Sequence, residues 1–219
     1  MKQEFQLIAF LDQLEKWNKK LNLVSCKNRN ELEIKHLQDS LSLLEVFDLD
    51  EGQKVLDLGT GGGFPGIPLA IMSPEATFVL TDSTAKKITA VQIMAQEIGL
   101  NNVELLSARF EELAHEDAFR EEFGLVLARA VAPLSTLLEY AAGFVCVNGL
   151  FVAYKSADYE KELKDSAKAQ KALGLTFDGA IDYELEDDMG SRALLVFRKE
   201  KPLLDKYPRA VGTPKKKPL

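Results

Sequence analysis

The segment from Asp57 to Pro68 has residue types and a spacing that are typical of ligand-binding chemistry. It reads Asp57-Leu58-Gly59-Thr60-Gly61-Gly62-Gly63-Phe64-Pro65-Gly66-Ile67-Pro68, with five glycines among the eight positions 59–66. Glycine allows a sharp turn at positive φ and places no side chain between the backbone and a ligand. An apolar run, Val55–Leu58, precedes the turn, which is therefore predicted at the carboxyl end of a strand, where open α/β sheets bind ligands. Because one or two glycines suffice for a tight corner, we interpret the segment as a ligand-binding loop.

Two classes of cofactor are compatible with this loop. The run from Gly61 to Gly66 satisfies the dinucleotide-binding pattern, and Asp82 lies 21 residues after Gly61, near the spacing of a ribose-binding acid. S-adenosylmethionine is nevertheless favoured, because Asp57 gives the acid-x-Gly-x-Gly-x-Gly form that methyltransferases use and no pyrophosphate then has to be bound. A chain of 219 residues also leaves little room for the separate substrate domain of many dehydrogenases. The residues alone favour the methyl donor and leave a nicotinamide cofactor open.

Arg129 and the polar residues of the segment His36–Ser40 are candidates for chemistry beside a bound cofactor. Arg129 ends the fourth predicted strand, at the same sheet edge as the glycine-rich loop, where packing alone does not require a cation. A surface ion pair is the alternative, and because the residue is expected to support no core, its removal should leave the fold intact. His36, Asp39 and Ser40 share one helical face beside an apolar stripe, an arrangement that is often only structural.

The elements that must position these residues alternate between strand and helix from Lys54 onward. The predicted strands are Val55–Leu58, Phe78–Leu80, Val103–Leu106, Leu125–Ala128, Leu150–Ala153, Phe177–Tyr183 and Arg192–Arg198, with a helix over Asp158–Leu173. This alternation predicts an α/β fold in which a mostly parallel, twisted sheet carries helices on both faces. Amphipathic helices over residues 4–21 and from Asn28 to Leu44 form an N-terminal helical extension. We predict three parts: a helical extension (1–50), a cofactor-binding core (51–200) and a basic tail (201–219).

The charge of the chain is unevenly distributed. The net charge is −7, but Arg198–Lys217 contains eight basic and two acidic residues, so this segment is +6 and the rest is −13. Because binding to a phosphate backbone depends on local clusters of cations, the tail is compatible with an RNA partner; a tail that only aids solubility fits equally well. Cys26 and Cys146 lack metal-ligand spacing, and neither a signal peptide nor an apolar run of spanning length is found. We therefore expect a cytoplasmic protein with no metal and no membrane partner.

Further motifs are spread along the chain. They are Trp17-Asn18, Asn22-Leu23-Val24-Ser25, Lys35-His36, Asp39-Ser40, Asp82-Ser83, Lys86-Lys87, Arg109-Phe110-Glu111-Glu112, Arg129-Ala130, Lys155, Tyr207-Pro208-Arg209, Gly212, Pro214 and Lys217-Pro218-Leu219. Together with residues 57–68, they resemble the bacterial 16S ribosomal RNA guanine-N7 methyltransferases of the RsmG (GidB) type over nearly the whole chain. Ala128 stands where the family usually has serine, and Ser156 where it often has glycine; both replace one small residue by another.

This resemblance implies a Rossmann-like class I methyltransferase fold with S-adenosylmethionine as cofactor. The loop and the family pattern together assign cofactor binding to Asp57, Gly59, Gly61, Gly63, Phe64, Asp82, Phe110, Glu111 and Arg129. Asp82 would hold the ribose, and Phe110 with Glu111 would flank the adenine. The catalytic site would contain Arg129, His36 and Asp39, with Arg129 and His36 positioning the base rather than removing a proton. The predicted RNA contacts are Lys155, Arg209, Lys215, Lys216 and Lys217.

The implied reaction is an in-line transfer of a methyl group to guanine N7, which is nucleophilic when neutral and needs no general base. The implied partner is 16S ribosomal RNA or the small ribosomal subunit, and we expect a monomer. Two other function classes remain compatible with the residues. One is a nicotinamide-dependent oxidoreductase or small-molecule methyltransferase on the same fold, and the other is a non-catalytic, cofactor-sensing protein that binds RNA.

Overall fold

A seven-stranded sheet forms the centre of the computed structural model, which describes residues 2–219. The strands are β1 (Lys54–Leu58), β2 (Thr77–Asp82), β3 (Val103–Ser107), β4 (Phe123–Arg129), β5 (Val145–Ser156), β6 (Leu175–Glu184) and β7 (Ser191–Lys199). Their order is β3-β2-β1-β4-β5-β7-β6; β1 to β5 are parallel, and β7 runs antiparallel to both of its neighbours. Every predicted strand is present, and the predicted mostly parallel α/β sheet is confirmed.

Helices cover both faces of the sheet, because alternate strand residues point to opposite sides. Val55 packs on one face with α1 (Lys2–Leu21), α4 (Gly66–Met72) and α5 (Ala85–Glu97). Its neighbour Leu56 packs on the other face, which is covered by α6 (Phe110–Leu113), α7 (Leu134–Ala142), α8 (Glu160–Asp165) and α9 (Ala167–Leu173). Strands buried on both sides explain why the sequence shows continuous apolar runs rather than alternation.

The second N-terminal helix is less regular than its apolar stripe predicts. It consists of α2 (Arg29–Leu32), a π-helical turn (Glu33–Gln38), α3 (Asp39–Leu41) and a 3₁₀ turn (Ser42–Glu45). Asn28 caps its start, as predicted, by accepting a hydrogen bond from the Glu31 amide at 2.9 Å. Within the π-helical turn, the carbonyl oxygens of Lys35 and His36 accept hydrogen bonds from Arg129, so a contact distant in sequence supports this local irregularity.

The predicted helix over Asp158–Leu173 is two helices, α8 and α9, separated at Ser166. The Ser166 hydroxyl donates to the carbonyl oxygen of Leu163 at 2.8 Å, a local bond that competes with the regular helical pattern and bends the chain. Both helices contact α7, and α8 also brings Glu162 to the carboxyl end of β5.

The C-terminal segment is folded onto the sheet domain and ends in α10 (Thr213–Lys216). Leu203 and Tyr207 are buried in the same apolar cluster as α7, and Pro214 is buried as well. At the other end of the chain, Phe10 and Leu14 of α1 are fully buried against the opposite face. Both segments therefore share a core with residues 51–200, and the division into three parts at 50 and 200 stays a prediction.

Candidate active site

A cavity of about 820 Å³ opens at the carboxyl ends of the parallel strands. Its walls come from the glycine-rich loop after β1, the ends of β2, β4 and β5, and the N-terminal segment 23–39. The strand order places β1 and β4 side by side although β2 and β3 lie between them in the chain, which is the topological switch point where open α/β sheets bind ligands. The cavity therefore lies where the sequence predicts the ligand.

The glycine-rich loop needs glycine for backbone conformation as well as for space. Gly59 and Gly61 have φ values of 75° and 56°, in the left-handed region that favours glycine. A Cβ added at Gly59 would lie 2.5 Å from the Val131 side chain, whereas one added at Gly61 would meet nothing closer than 3.8 Å. Gly59 is thus required for packing, and Gly61 borders open space in the cavity.

Asp82 is fixed beneath this loop at the end of β2. Its Oδ2 accepts a hydrogen bond from the Gly61 amide at 3.2 Å, and its Oδ1 accepts one from the Thr84 amide at 2.8 Å. The carboxylate lines the cavity with only 8% of its residue surface exposed. Each oxygen retains a further lone pair, so the group can accept a bond from a ligand hydroxyl.

Asp57 supplies a test of whether a cationic cofactor fits. The carboxylate is fully buried, and its Oδ2 accepts a hydrogen bond from the Gly66 amide at 3.0 Å. Its Oδ1 and the Thr60 hydroxyl make no hydrogen bond of regular geometry within residues 2–219, and the Thr60 hydroxyl lies close enough to lower the pKa of Asp57. Burial raises the pKa of Asp57 to about 6. Thr60 lines the cavity and its hydroxyl can bind a ligand group, whereas Asp57 does not border the cavity and would act on a ligand ammonium through its charge. The chemistry of S-adenosylmethionine fits the residues.

Arg129, His36 and Asp39 lie together, as the resemblance implies. Arg129 Nη1 donates to Asp39 Oδ2 at 2.7 Å, and Nη2 lies 3.0 Å from His36 Nδ1. The guanidinium also lies 5.3 Å from the centre of the Phe64 ring, a cation–π contact. Asp39 is only 3% exposed, and its second oxygen accepts a hydrogen bond from the Tyr183 hydroxyl at 2.7 Å. The ion pair is therefore buried, and the expectation that Arg129 supports no packing is wrong: it joins β4 to the N-terminal helical segment.

The contacts of His36 determine its tautomer. Nε2 lies 3.1 Å from the Ser25 carbonyl oxygen, which can only accept, so Nε2 carries the proton and Nδ1 accepts from Arg129. Both ring nitrogens are engaged, and burial followed by the charge of Arg129 lowers the pKa of His36 below its ordinary 6.5. His36 is neutral and positions Arg129; it offers no free nitrogen that could remove a proton.

We expect replacement of His36 by glutamine to reduce the loss of stability in mild acid. The unfolded chain takes up a proton near pH 6.5, whereas folded His36, facing Arg129, Lys35 and Asp39, resists protonation, so stability falls as the pH drops through the lowered pKa. Asp57 acts in the opposite direction below about pH 6, because its raised pKa favours the protonated folded state.

Urea unfolding at pH 7.5 and 5.5 measures the difference between wild type and His36→Gln. His115→Gln is the matched control, and an equal loss in the wild type and His36→Gln would contradict the assignment.

Phe110 lines the main cavity, whereas Glu111 lines only a smaller neighbouring one. Three residues border both cavities, Ser83, Phe110 and Val131. The second cavity, of about 230 Å³, is also lined by Glu111, Tyr140 and Lys215. Glu111 is 4% exposed and accepts a hydrogen bond from the Gly212 amide at 2.9 Å, so the C-terminal segment holds this carboxylate in place. Adenine contact by Phe110 and Glu111 stays a prediction.

The structure separates the five residues expected to contact RNA. Lys155 lines the main cavity and Lys215 the second one, while Lys216 and Lys217 are exposed. Arg209 instead donates to both oxygens of the fully buried Glu139, at 2.9 and 2.6 Å, and to the carbonyl oxygen of Lys217. Because removing it would leave a buried carboxylate unpaired, Arg209 has a structural role, and an RNA contact is not supported for it.

Several cavity residues had no assigned role in the sequence. Leu23, Val24 and Ser25 reach it because the Asn18 side chain binds both the amide and the carbonyl of Val24, at 2.9 and 3.0 Å. Arg192 and Glu162 come from β7 and α8. Arg192 lies at the cavity because the antiparallel pairing of β5 and β7 puts the start of β7 beside the carboxyl end of β5. The sequence does not reveal this pairing, so it does not predict Arg192 as a cavity residue. No local pattern marks Glu162.

The described part of the chain meets the requirements of neither a membrane-spanning helix nor a metal site. None of the helices in residues 2–219 is long and apolar enough to cross a membrane. Within the same residues, no three His, Cys, Asp or Glu side chains are grouped so that they could hold a metal ion.

Solved structures resemble this fold at low sequence identity. TYW2 of M. jannaschii in complex with AdoMet aligns with a TM-score of 0.59 at 15% identity, covering 80% of this chain and 78% of that one. YcgJ of Bacillus subtilis aligns with a TM-score of 0.57 at 13% identity, covering 76% of this chain and all of that one. At such identities these alignments show the class I methyltransferase fold alone, as expected from the sequence.

Comparison of sequences identifies the family. A protein named ribosomal RNA small subunit methyltransferase G from Clostridium novyi (strain NT) is 40% identical over 214 residues, covering 98% of this chain and 88% of the relative. The protein of the same name from Lactococcus lactis subsp. cremoris (strain SK11) is 38% identical over 219 residues, covering all of this chain and 92% of the relative. The family model described as rRNA small subunit methyltransferase G matches residues 3–179. The chain therefore belongs to this family, GidB, and is an S-adenosylmethionine-dependent methyltransferase.

Proposed function

We propose that this chain transfers the methyl group of S-adenosylmethionine to N7 of a guanine in 16S ribosomal RNA. Family membership supports the methyl donor over a nicotinamide cofactor and an enzyme over a cofactor sensor. The observation that carries the choice of N7 is the Arg129 cluster: the imidazole of His36 and both carboxylate oxygens of Asp39 are already engaged. A cluster in which the His36 nitrogens and the Asp39 oxygens are all engaged suits a nucleophile that has no proton to lose.

The cofactor contacts follow from the positions of the acidic residues. Asp57 beneath the loop would stabilise the ammonium end, and Asp82 would accept hydrogen bonds from the ribose hydroxyls. The glycine-rich loop and Phe64 would border the remainder of the ligand, with Phe110 and Glu111 at the adenine. When bound, S-adenosylmethionine supplies an electrophilic methyl group on a sulfonium centre. The residues of the chain then have to orient the base, exclude water and accommodate the charge that moves to the base.

Orientation is the main task of the protein in such a reaction. Alignment of a nucleophile with the methyl carbon and its leaving group can lower a barrier by roughly 7–11 kcal/mol. Arg129 is held by four groups, the side chains of Asp39 and His36 and the carbonyls of Lys35 and His36, so its planar face is fixed at the cavity. A guanidinium plane of this kind can stack on an extruded base, as proteins that bind single-stranded RNA commonly do. We therefore assign positioning roles to Arg129, His36 and Asp39.

RNA binding is assigned to cations around the cavity rather than to the chain as a whole. Although the net charge is −7, the lining of the cavity contains more cations than acids: Lys35, Lys87, Arg129, Lys155 and Arg192 against Asp39, Asp82 and Glu162. Lys215 extends this cationic surface along the second cavity, next to the exposed Lys216 and Lys217. Local clustering of this kind attracts a polyanion even when the net charge does not.

We expect glutamine at positions 215, 216 and 217 to weaken RNA binding and to reduce its salt dependence. Each lost phosphate contact should flatten the plot of log K against log salt by about 0.7–0.9 units. Substitution is preferable to deletion, because Pro214 is buried and the Lys217 carbonyl accepts from Arg209. A salt titration of RNA binding measures the slope, and calorimetry should show unchanged affinity for S-adenosylmethionine. The control replaces the exposed Lys164, Lys168 and Lys171 by glutamine. Equal slopes in the two triple variants would exclude the tail as an RNA contact.

The proposed activity is tested directly by mapping modified nucleosides. Ribosomal RNA from cells with and without this protein is digested and analysed by mass spectrometry, and purified protein is then added to RNA from the deficient cells. A single 7-methylguanosine that disappears with the protein and returns on its addition would support the proposal. Methylation at an exocyclic amine or a sugar hydroxyl, or none at all, would contradict it.

Three further assignments belong to this proposal. The N-terminal extension, described from residue 2 to residue 50, serves as the cover of the cavity, since residues 23–39 form one of its walls. Cytoplasmic location is inferred from the ribosomal substrate. A monomer is inferred because the cavity is complete within one chain, and sedimentation at micromolar concentration would reveal any stable dimer.

A further inference from the structure

One wall of the cavity is formed by residues that the Arg129 cluster does not touch. Tyr154 and Lys155 are neighbours at the end of β5 and therefore point to opposite faces of the sheet. The Tyr154 hydroxyl donates to the carbonyl of Ser40 on the N-terminal side, whereas Lys155 Nζ donates to the Ala132 carbonyl and to Glu162 on the α7–α8 side. A base inside the cavity thus meets Arg129 from one side and the pair Lys155–Glu162 from the other.

The pair is held in one geometry. Lys155 Nζ lies 2.6 Å from Glu162 Oε2, and the same oxygen accepts a hydrogen bond from the Leu134 amide, the first residue of α7, at 3.1 Å. Lys155 is 15% exposed and Glu162 45% exposed. Glu162 Oε1 accepts no hydrogen bond from any residue between 2 and 219, and Lys155 uses two of its three N–H donors. A free acceptor and a free donor therefore remain side by side.

The other carboxylates at the cavity are already engaged. Asp39 accepts from Arg129 and Tyr183, one bond at each oxygen, and Asp82 accepts from the Gly61 and Thr84 amides in the same way. Asp57 lies buried beneath the glycine-rich loop. Among the described residues, Glu162 is thus the cavity carboxylate that has one oxygen without a hydrogen bond. Its other oxygen is paired with the Lys155 ammonium.

This arrangement is complementary to one edge of guanine. Guanine presents the O6 acceptor next to the N1–H and N2–H₂ donors, so an ammonium and a carboxylate side by side can bind all of them. Adenine has an amino donor in place of O6 and an acceptor at N1, which would face the ammonium and the carboxylate with the wrong polarity. We propose that Lys155 and Glu162 read the Watson–Crick edge of the target base, with the ammonium on O6 and the carboxylate on N1–H and N2–H₂. This inference rests on the proposed function.

Glu162→Gln is the variant that tests the proposal. Its amide oxygen can still accept from the Leu134 amide, so the cap of α7 is kept, but an NH₂ donor then faces the donor edge of guanine. We expect kcat/KM for guanine-containing RNA to fall about 10- to 100-fold, the range for loss of a hydrogen bond to a charged group. Affinity for S-adenosylmethionine and the melting temperature should stay at wild-type values. Glu160→Gln, an exposed glutamate on the same helix, is the matched control.

The decisive readout is the ratio of rates for guanine and inosine at the mapped target position, since inosine lacks only the N2 amine. The wild type and Glu160→Gln should prefer guanine about tenfold or more, whereas Glu162→Gln should treat the two bases within about threefold. A purely structural Lys155–Glu162 pair predicts the same ratio in all three proteins, and that result would overturn the inference. If the wild type instead fails to methylate guanine N7 in natural RNA, the proposed function itself fails, so the two failures are distinguishable.

Discussion

Replacing Gly61 by valine is expected to lower the affinity for S-adenosylmethionine by at least about 100-fold, which corresponds to about 2.7 kcal/mol. Gly61 borders the cavity, and a Cβ at this position meets no protein atom closer than 3.8 Å. The added side chain therefore extends into ligand space rather than into the core. Isothermal calorimetry with the methyl donor and with its demethylated product measures the loss.

The control for this variant separates backbone strain from loss of ligand space. Gly61 has a φ of 56°, where a residue with a side chain is strained by about 1–2 kcal/mol. Gly99 has a similar φ of 67°, lies after α5 away from the cavity, and has nothing within 4 Å of an added Cβ. Gly99→Val should therefore reduce stability by a similar amount with no effect on cofactor affinity. Wild-type affinity in Gly61→Val would show that the loop does not hold the cofactor.

Replacing Arg129 by alanine is expected to affect both methyl transfer and stability. The single-turnover rate with saturating cofactor should fall at least about 100-fold, because the fixed guanidinium that orients the base is lost. The free energy of unfolding should fall by about 3 kcal/mol, since Asp39, only 3% exposed, loses the partner at 2.7 Å. Rates are therefore compared at a temperature at which both proteins are fully folded, as judged by urea unfolding.

Two further variants interpret that result. Arg198→Ala removes a guanidinium from an exposed pair with Asp178, and it should change stability by less than about 1 kcal/mol and leave the rate unchanged. Arg129→Lys keeps the charge but cannot reach Asp39, His36 and two carbonyls at once, so its stability should be intermediate and its rate low. A wild-type single-turnover rate in Arg129→Ala would remove this residue from the catalytic site.

The sheet and the cofactor loop are predictable because their signals are local. A strand buried on both faces needs a continuous apolar run, and a turn at positive φ needs glycine, so β1 to β5 and Gly59–Gly66 are visible in the sequence alone. Asp82 is visible for the same reason, because the strand that carries it and the loop above it have a regular spacing. The sequence also shows the excess of positive charge in the tail, but it does not show which of these cations are exposed and which are paired.

The Arg129 cluster is intermediate between local and tertiary signals. The family resemblance predicts roles for Arg129, His36 and Asp39, but only the packed structure shows that Arg129 and Asp39, 90 residues apart, form a buried pair. It also shows that the intervening turn is π-helical and that His36 is held as an acceptor. The helical propensities of residues 33–38 do not predict the π-helical turn, because the group that binds its carbonyl oxygens, Arg129, lies on the distant strand β4.

The sequence by itself determined the fold class, the cofactor loop and the family, because these depend on residue types at fixed short spacings. Tertiary structure alone decided which charged groups are free and which are engaged. Arg209 is joined to the buried Glu139, 70 residues away, whereas Glu162 retains an unoccupied oxygen beside Lys155. Whether a charged side chain is available to a ligand depends on partners that packing brings close to it. Because these partners are distant in sequence, the neighbouring residues do not predict them.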